Sequence, residues 1–351
     1  MAEPLFLESL EIHRFRAFDH LSIERFGRVN LVVGKNNVGK SSLLEALWLY
    51  ANQGHPVVVW KILEARDEGR GPERTLPLRA RSPMEEDVGI EDFADSVKQL
   101  FHRNSDTNYE ARIGPQGVEN RTLTISLGVN LQKTAPLLKT SIGQQKNDYG
   151  LDDWAYRLQE GKGERCVMVA ANGLDALTLE KFWDSVALTD LEDDVLSALR
   201  LIAPDVERVN MLTGRKRRNA RTPVVKVAGL NEPVPLKSLG DGMNRMFGIS
   251  LALVSARNGM LLIDEIENGL HYSVQSNVWR LVFEVARRLN VQVFATTHSW
   301  DCITAFQQAA QEYEQDEGIL IRLIEKKGKI VADSFNENEL EIAAREEIEV
   351  R

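Results

Sequence analysis

Residues 34–41 read GKNNVGKS and constrain the possible folds of this chain more than any other feature of its sequence. The apolar run NLVV precedes this loop, and apolar residues recur at helical spacing after it, from Ser41 to about Tyr50. The pattern G-x-x-x-x-G-K-[ST] between a strand and a helix is typical of a phosphate-binding loop. We therefore predict a strand, a phosphate-binding loop and a helix in this order.

Each residue type in this loop has a physical reason. Gly34 and Gly39 allow the backbone to curl, so that successive N–H groups point at phosphate oxygens. The start of the following helix adds a favourable dipole for the same anion. We expect Lys40 to bind the β- and γ-phosphates and the Ser41 hydroxyl to be a ligand of Mg²⁺. The residues predicted to contact the phosphates are Gly34, Lys35, Asn36, Asn37, Gly39, Lys40, Ser41 and Ser42.

A second motif places two carboxylates at the end of an apolar strand. Residues 260–265 read MLLIDE. The carboxyl end of a central parallel strand lies at the crevice where ligands bind, which here is beside the phosphate-binding loop. We expect Asp264 to hold Mg²⁺, directly or through water, and Glu265 to orient or deprotonate the attacking water.

A third motif ends the next apolar strand with a histidine. Residues 291–299 read VQVFATTHS, about thirty residues beyond the acidic pair. Neighbouring parallel strands end at the same edge of a sheet, so His298 is expected near Asp264 and Glu265. Its imidazole can hydrogen-bond the γ-phosphate and report its presence. The predicted catalytic residues are Lys40, Glu265 and His298.

The order of the predicted elements indicates an α/β fold with a mostly parallel central sheet. Helical and strand-like segments alternate after residue 238, which implies parallel pairing and helices that cover the sheet. A strand hairpin is expected over residues 319–335. We assign residues 1–53 and 222–351 to the core of one head. Residues 54–221 are predicted to be an inserted lobe with a β-rich part and a helical arm.

The segment SLGDGMNR, residues 238–245, completes a recognisable set of motifs. The phosphate loop, this serine–glycine turn, the Asp–Glu strand and Thr-Thr-His, in this order, resemble the ABC ATPase family. They look most like its RecF, SMC and OLD branch. The resemblance covers roughly residues 5–50 and 225–305. It implies ATP and Mg²⁺ as cofactors and a homodimer in which Ser238 and Gly240 of one subunit contact the γ-phosphate held by the other. Leu239 replaces a glycine of the family's signature turn.

The resemblance implies roles for three more regions. Residues 267–271, ENGLH, match the loop that crosses the dimer interface in this family. Residues 11–18, EIHRFRAF, resemble the N-terminal strand beside the nucleotide in RecF-like heads. Arg16 is therefore expected to reach a phosphate, the alternative being a solvent-facing strand arginine. Gln53 and Gln99 are candidates for the glutamine of the family's Q-loop.

OLD proteins also carry a Toprim nuclease domain, which needs a D-x-D carboxylate cluster. No D-x-D occurs after Ser299. The chain thus resembles an OLD-like ATPase head without its nuclease, which implies a separately encoded effector, commonly in defence against phage or plasmid DNA.

The formal net charge of -9 argues against a wholly basic nucleic-acid binder. One dense basic run remains, and it either grips DNA phosphates or is a solvated hairpin turn; it consists of Arg215, Lys216, Arg217 and Arg218. No apolar run is long enough for a membrane helix, and the N-terminus lacks a signal-peptide pattern. Two distant cysteines fit a reducing compartment, so a cytoplasmic location is expected.

Three functions remain open at this level. The first is an ATP-driven dimer that switches a partner effector or a DNA contact. The second is a RecF-like repair ATPase that binds DNA directly, and the third is a small-molecule kinase that uses the phosphate loop. ATP is preferred to GTP because no N-K-x-D motif follows the acidic strand.

Overall fold

Three β-sheets organise the part of the chain that the structure describes. A computed structural model describes residues 4–69, 94–102, 109–129, 136–150, 166–213, 221–313, 317–336 and 339. The strands are β1 (Leu10–Phe15), β2 (Phe18–Ile23), β3 (Val29–Val33), β4 (Glu110–Gly114), β5 (Leu123–Val129), β6 (Pro136–Ile142), β7 (Gln145–Gly150), β8 (Cys166–Val169), β9 (Val206–Thr213), β10 (Arg221–Val227), β11 (Val234–Pro235), β12 (Met260–Ile263), β13 (Gln292–Thr296), β14 (Gly318–Lys326) and β15 (Lys329–Asn336). The helices are α1 (Lys40–Ala51), α2 (Pro56–Ala65), α3 (Ala176–Val186), α4 (Leu191–Arg200), α5 (Asp241–Ser255), α6 (Tyr272–Arg288) and α7 (Trp300–Ala310).

The central sheet has the strand order β15-β14-β3-β13-β12-β8. All neighbours pair in parallel except the β14–β15 hairpin. The predicted α/β fold with a mostly parallel sheet is thereby confirmed, as are the strand, loop and helix around residues 34–41 and the hairpin near the end of the chain.

Both faces of this sheet are buried, because the side chains of each strand alternate between two apolar cores. Val29, Leu31 and Val33 of β3 pack with the side of the sheet covered by α3 to α7. Val32 faces the other core, which also contains residues of α1 and α2. A strand that is buried on both faces reads as a continuous apolar run, which is why NLVV and MLLI carry no polar alternation.

The second six-stranded sheet is antiparallel and has the order β2-β1-β4-β5-β6-β7. Its apolar residues join the same core as α1, so this helix lies between the two sheets. Phe18, at the start of β2, comes close to Gly39 at the start of α1. The β1–β2 hairpin therefore forms one wall beside the phosphate loop.

Residues 54–221, expected to be an inserted lobe, contribute strands to both large sheets. β4 to β7 extend the sheet of β1, and β8 pairs in parallel with β12. The predicted helical arm corresponds to α3 and α4, which pack on α5 instead of projecting from the head. The rings of Trp183 and Phe247 lie 5.9 Å apart in this contact. The domain boundaries themselves stay a prediction.

The parallel register brings three functional segments to one edge of the central sheet. Ile263 pairs with Ala295, and Thr296 pairs with Val32. The residues that follow β3, β12 and β13 consequently emerge side by side. None of the helices that the structure describes combines the length and the apolar character that crossing a membrane requires.

Candidate active site

The loop between β3 and α1 depends on two glycines. Gly34 has φ 148° and Gly39 has φ 100°, both in the region that favours glycine. A Cβ on Gly34 would lie 2.5 Å from the Leu323 carbonyl oxygen, and one on Gly39 would lie 2.9 Å from Cζ of Phe18. Within the described residues no side chain caps the N-terminus of α1, so its first N–H groups remain available to an anion.

Lys40 is held inside this loop. Its Nζ donates hydrogen bonds to the carbonyl oxygens of Gly34 (2.7 Å) and Lys35 (3.1 Å). Burial lowers the pKa of Lys40, while the nearby carboxylates of Asp264 and Glu265 act in the opposite direction. Two neutral carbonyl groups thus position the ammonium. A charged phosphate forms a stronger hydrogen bond with it and can replace them.

A cleft of about 730 Å³ opens above the loop, within the size range of small-molecule sites. The predicted site residues that line it are Arg16, Asn36, Asn37, Gly39, Lys40, Ser41, Ser42, Asp264 and Glu265. Gly34 and Lys35 lie just behind, as the carbonyl partners of Lys40. Three of the predicted sequence segments, which lie far apart in the chain, therefore surround one polar cleft.

Asp264 joins the acidic strand to the start of α1. Its Oδ2 accepts a hydrogen bond from Ser41 Oγ at 3.0 Å, and its Oδ1 accepts one from Thr296 Oγ1 at 2.6 Å. Neighbouring oxygen ligands of an octahedral Mg²⁺ lie about 2.9 Å apart, because each Mg–O bond is about 2.1 Å long. The separation and the oxygen chemistry of Ser41 and Asp264 therefore fit Mg²⁺.

Glu265 is fixed by its backbone as well as by its side chain. Its φ of 48° is unusual for a non-glycine residue and costs about 1 kcal/mol or more. The N–H of Glu265 donates to Thr296 Oγ1 at 2.8 Å, and its Oε2 accepts a hydrogen bond from Asn268 Nδ2 at 2.6 Å. These contacts direct the carboxylate to the cleft, which it lines.

Arg245 supports the same turn from below. Its Nη2 donates to the carbonyl oxygens of Asp264 (2.7 Å) and Glu265 (2.9 Å), and its Nη1 donates to Ala170 O (2.7 Å). Burial lowers the pKa of Arg245, with the nearby carboxylate of Glu267 opposing this effect. One planar guanidinium thus connects the ends of β8 and β12 to α5.

His298 lies beside two carboxylates rather than in the wall of the cleft. Its backbone N–H donates to Glu267 Oε1 at 3.1 Å, and its ring Nδ1 lies 3.3 Å from the same oxygen. The distance from Nδ1 to Glu265 Oε1 is 3.8 Å. Glu267 is buried, whereas half of the His298 side chain is exposed. The structure therefore brings His298 next to Glu265, at the solvent-facing edge of the site.

Arg16 is not a solvent-facing strand arginine, as one sequence interpretation had it. Its side chain is only 5% exposed, and it forms ion pairs with Glu45 (3.1 Å) and Glu68 (2.6 Å). Arg66 binds the other oxygen of Glu45 at 2.5 Å. Burial raises the pKa of Glu45, and the two arginines oppose that shift. Arg16 also lines the cleft. Its expected contact with a phosphate stays a prediction.

The two glutamine candidates are now separated. Gln99 lines the cleft, and its backbone carbonyl oxygen accepts a hydrogen bond from Arg16 Nη1 at 3.0 Å. Gln53 lies in the turn after α1, where its N–H donates to Tyr50 O at 3.0 Å. Of the two candidates, Gln99 is the one that lines the cleft, and its role as the Q-loop glutamine stays a prediction.

The serine–glycine turn lies immediately before α5 and away from the cleft wall of the same chain. The exposed Ser238 donates from Oγ to Pro235 O at 2.6 Å. Gly240 has φ 109°, and, apart from its own atoms and those of its two chain neighbours, no atom of the described residues lies within 4 Å of where its Cβ would be. A Cβ on Gly242 would lie 2.6 Å from Gly269 O. The start of α5 therefore packs against the loop over residues 267–271.

Sequence reasoning missed several residues that shape this site. Thr296 and Arg245 belong to motifs that had been recognised, and a polar residue in a buried strand or helix was the available signal. Glu45, a buried carboxylate of α1, carries the same signal, whereas its partner Arg66 lies in the turn after α2 and carries none. The basic run over residues 215–218 lies outside the described residues. The adjacent Arg221 pairs with Asp184 at 2.6 Å.

Known proteins with similar sequences fall into one group. A family model described as "AAA ATPase domain" matches residues 6–119 and 179–303, more than half of the chain. A relative from Helicobacter pylori named "ATP/GTP phosphatase" is 24% identical over 342 residues, covering 87% of this chain and 89% of that protein. The DNA replication and repair protein RecF of Listeria innocua is 27% identical over 168 residues, covering 41% of this chain and 44% of RecF.

Solved structures show the same fold at low sequence identity. The SMC head bound to the C-winged helix domain of ScpA superimposes with a TM-score of 0.53 and 13% identity, covering 97% of this chain and 100% of that one. An SMC head with an extended coiled coil, bound to the C-terminal domain of ScpA from Pyrococcus furiosus, gives a TM-score of 0.51 and 11% identity, covering 98% and 100%.

Proposed function

Because this chain belongs to the AAA ATPase domain family and is an ATPase of the RecF and SMC type, we propose that it hydrolyses ATP between two copies of itself. The observation that carries the proposal is the junction of Ser41, Asp264 and Glu265 at one cleft. It joins the anion-binding helix start to two carboxylates with different hydrogen-bond partners. A kinase reading is set aside, since the chain is an ATPase.

The triphosphate would lie along the loop and the first turn of α1. The backbone N–H groups after Gly34 and the Lys40 ammonium would neutralise its charge. Ser41 and Asp264 would hold Mg²⁺, which when bound neutralises charge on the phosphate oxygens. Asn36 and Asn37 line the cleft at the loop and add polar contacts.

Glu265 would accept a proton from the attacking water or orient it. Asn268 already fixes one carboxylate oxygen of Glu265, Oε2, at 2.6 Å. The orientation of the other oxygen is therefore fixed as well. His298 lies 3.8 Å from that second oxygen, Oε1, and would bind the γ-phosphate while keeping Glu265 in place. Thr296 and Arg245 hold the backbone on which both carboxylates depend.

The second subunit would complete the site with its Ser238 turn. Ser238 and Gly240 are placed on a turn with open surroundings at the start of a helix, which is a suitable anion contact for another molecule. They do not line the cleft of their own chain among the described residues. ATP would therefore join the two copies, and its hydrolysis would release them and switch a partner effector, in roles such as phage or plasmid defence.

The test replaces Glu265 by Gln. We expect ATP binding to persist, turnover to fall by about 10²–10⁴-fold, and an ATP-bound dimer to accumulate on size exclusion. Lys40→Ala is the matched control, which should bind no nucleotide and stay monomeric. Adding Ser238→Arg to Glu265→Gln should abolish the trapped dimer but preserve ATP binding. A Glu265→Gln protein that hydrolyses ATP at the wild-type rate would contradict the role of Glu265. A rate per molecule that does not rise with protein concentration would contradict a shared site.

The second candidate is an ATPase that binds DNA directly. The similarity to RecF over 41% of this chain and the basic run at residues 215–218 favour it. DNA binding that weakens with salt and is lost when Arg215 to Arg218 are neutralised would support this candidate. The absence of such binding would favour a protein effector instead.

A further inference from the structure

A compact group of metal-binding side chains lies on the β1–β2 hairpin, on the face opposite the core. Leu10 and Ile12 of β1 are fully buried, so the intervening Glu11 and the following His13 project from the other face. His13 lies directly opposite His20 in the antiparallel register. All three side chains therefore share one face of two paired strands.

The atoms of these side chains are close enough to share one cation. Glu11 Oε1 lies 3.0 Å from His20 Nε2 and 3.3 Å from His13 Nε2. One ligand atom from each residue lies within 4.8 Å of the others, and the two imidazole rings stack with centroids 4.6 Å apart. Ligands of a tetrahedral zinc ion lie about 3.3–3.6 Å apart, given bonds of about 2.0–2.2 Å. Small side-chain rotations on fixed strands bring these atoms to that arrangement.

We propose that Glu11, His13 and His20 form a binding site for a divalent transition metal of the zinc class. Two imidazole nitrogens and one carboxylate oxygen are a donor set that zinc and its neighbours prefer. Mg²⁺, which prefers oxygen ligands, would instead be held by Ser41 and Asp264. The remaining coordination position faces solvent, because the His20 side chain is about half exposed.

The surrounding charges permit a cation at this place. Arg112 of β4 lies opposite His13 in the sheet register, and its positive charge acts on His13. It forms an ion pair with Glu119, so its charge is offset. Glu11 supplies one negative charge to the site itself. The cation would therefore enter a region with a carboxylate ligand and a compensated arginine.

The position of the site gives it a structural consequence. The turn that joins β1 to β2 consists of Arg16 and Ala17, which line the ATP cleft, and Phe18, the first residue of β2, lies close to Gly39. A metal that links His13 to His20 would tie the two strands just before this turn. Its binding should therefore raise the thermal stability of the folded chain.

The experiment measures metal binding to the full chain and requires no ATPase activity. Protein stripped with a chelator is titrated with Zn²⁺ by calorimetry, with excess Mg²⁺ present to saturate oxygen sites. Co²⁺ in place of Zn²⁺ reports coordination through its visible absorption. The variants are Glu11→Gln, His13→Gln and His20→Gln. The control is His55→Asn, which removes an imidazole elsewhere but retains a residue suited to capping α2.

We expect one zinc ion per wild-type chain and a melting temperature that rises with zinc. Each ligand variant should weaken binding by about tenfold or more, equivalent to about 1.4 kcal/mol. His55→Asn should bind like the wild type. The proposal is overturned if the wild type binds no zinc at micromolar concentrations. It is equally overturned if the three variants bind as tightly as the wild type, because the ion would then lie elsewhere.

Discussion

Replacing Thr296 by Val tests how the two carboxylates of the ATPase site are held. Thr296 is fully buried, and its hydroxyl donates to Asp264 Oδ1 at 2.6 Å and accepts from Glu265 N at 2.8 Å. Valine has almost the same shape, so the change removes two hydrogen bonds and little packing. Asp264 and the backbone of Glu265 then lose their shared partner.

The size of the effect follows from these two contacts. A hydrogen bond to a charged group contributes about 1.5–3 kcal/mol, and a buried N–H left unpaired costs about 1–3 kcal/mol. Asp264 lines the cleft, so water can replace part of the first contact. We therefore expect the free energy of unfolding to fall by about 2–3 kcal/mol. If half of this loss appears in the transition state, kcat falls by about tenfold.

Thr296→Ser is the control, since it keeps the hydroxyl and removes only a methyl group. Steady-state ATP hydrolysis gives kcat, calorimetry gives nucleotide affinity, and urea unfolding gives stability. Nucleotide affinity in the absence of Mg²⁺ should hardly change, because Lys40 and the loop backbone are untouched. The reasoning is refuted if Thr296→Val hydrolyses ATP as fast as Thr296→Ser does.

One further substitution tests how the acidic turn is held, and one labelling experiment tests the burial of a cysteine. Arg245→Lys keeps the positive charge, but an ammonium group cannot hydrogen-bond Ala170, Asp264 and Glu265 together as the planar guanidinium does. We therefore expect kcat to fall by about tenfold. An unchanged kcat and an unchanged stability in urea would contradict the supporting role of Arg245. Burial raises the pKa of Cys302 to about 12, so the native thiol is neutral. The stability from its burial is complete below the ordinary thiol pKa and is lost as pH rises toward 12. Iodoacetamide at about pH 8 should label Cys302 only after unfolding; equal labelling of the native chain would show that it is accessible.

Much of the fold was predictable because its signals are local. The phosphate loop carries its own strand, glycines and helix within residues 29–51, and each must agree with the others. The acidic strand and the Thr-Thr-His strand are separated by one helix, which makes them parallel neighbours. Parallel neighbours end at one edge, so the approach of His298 to Glu265 followed from strand order alone.

The parts that could not be predicted depend on contacts between distant segments. β8 is a four-residue strand, too short for a distinctive pattern, yet it extends the central sheet beyond β12. Arg16 pairs with Glu45 and Glu68, which lie 29 and 52 residues away and have no periodic relation to it. Such pairs form because a buried charge requires a partner, and the sequence does not show which carboxylate the fold will supply.

One helix connects the two halves of the proposed catalytic arrangement. α5 begins at Asp241, just after the Ser238–Gly240 turn, and Arg245 follows about 6 Å along its axis at 1.5 Å per residue. That arginine holds the carbonyl oxygens of Asp264 and Glu265, while Gly242 packs against Gly269. In the proposed dimer, a turn that contacts the partner's nucleotide is therefore rigidly joined to the carboxylates of its own site. ATP bound by one subunit would displace Ser238 of the other subunit, and the first helical turn of α5 would transmit this displacement to Glu265 of that second subunit. The two sites would therefore be coupled.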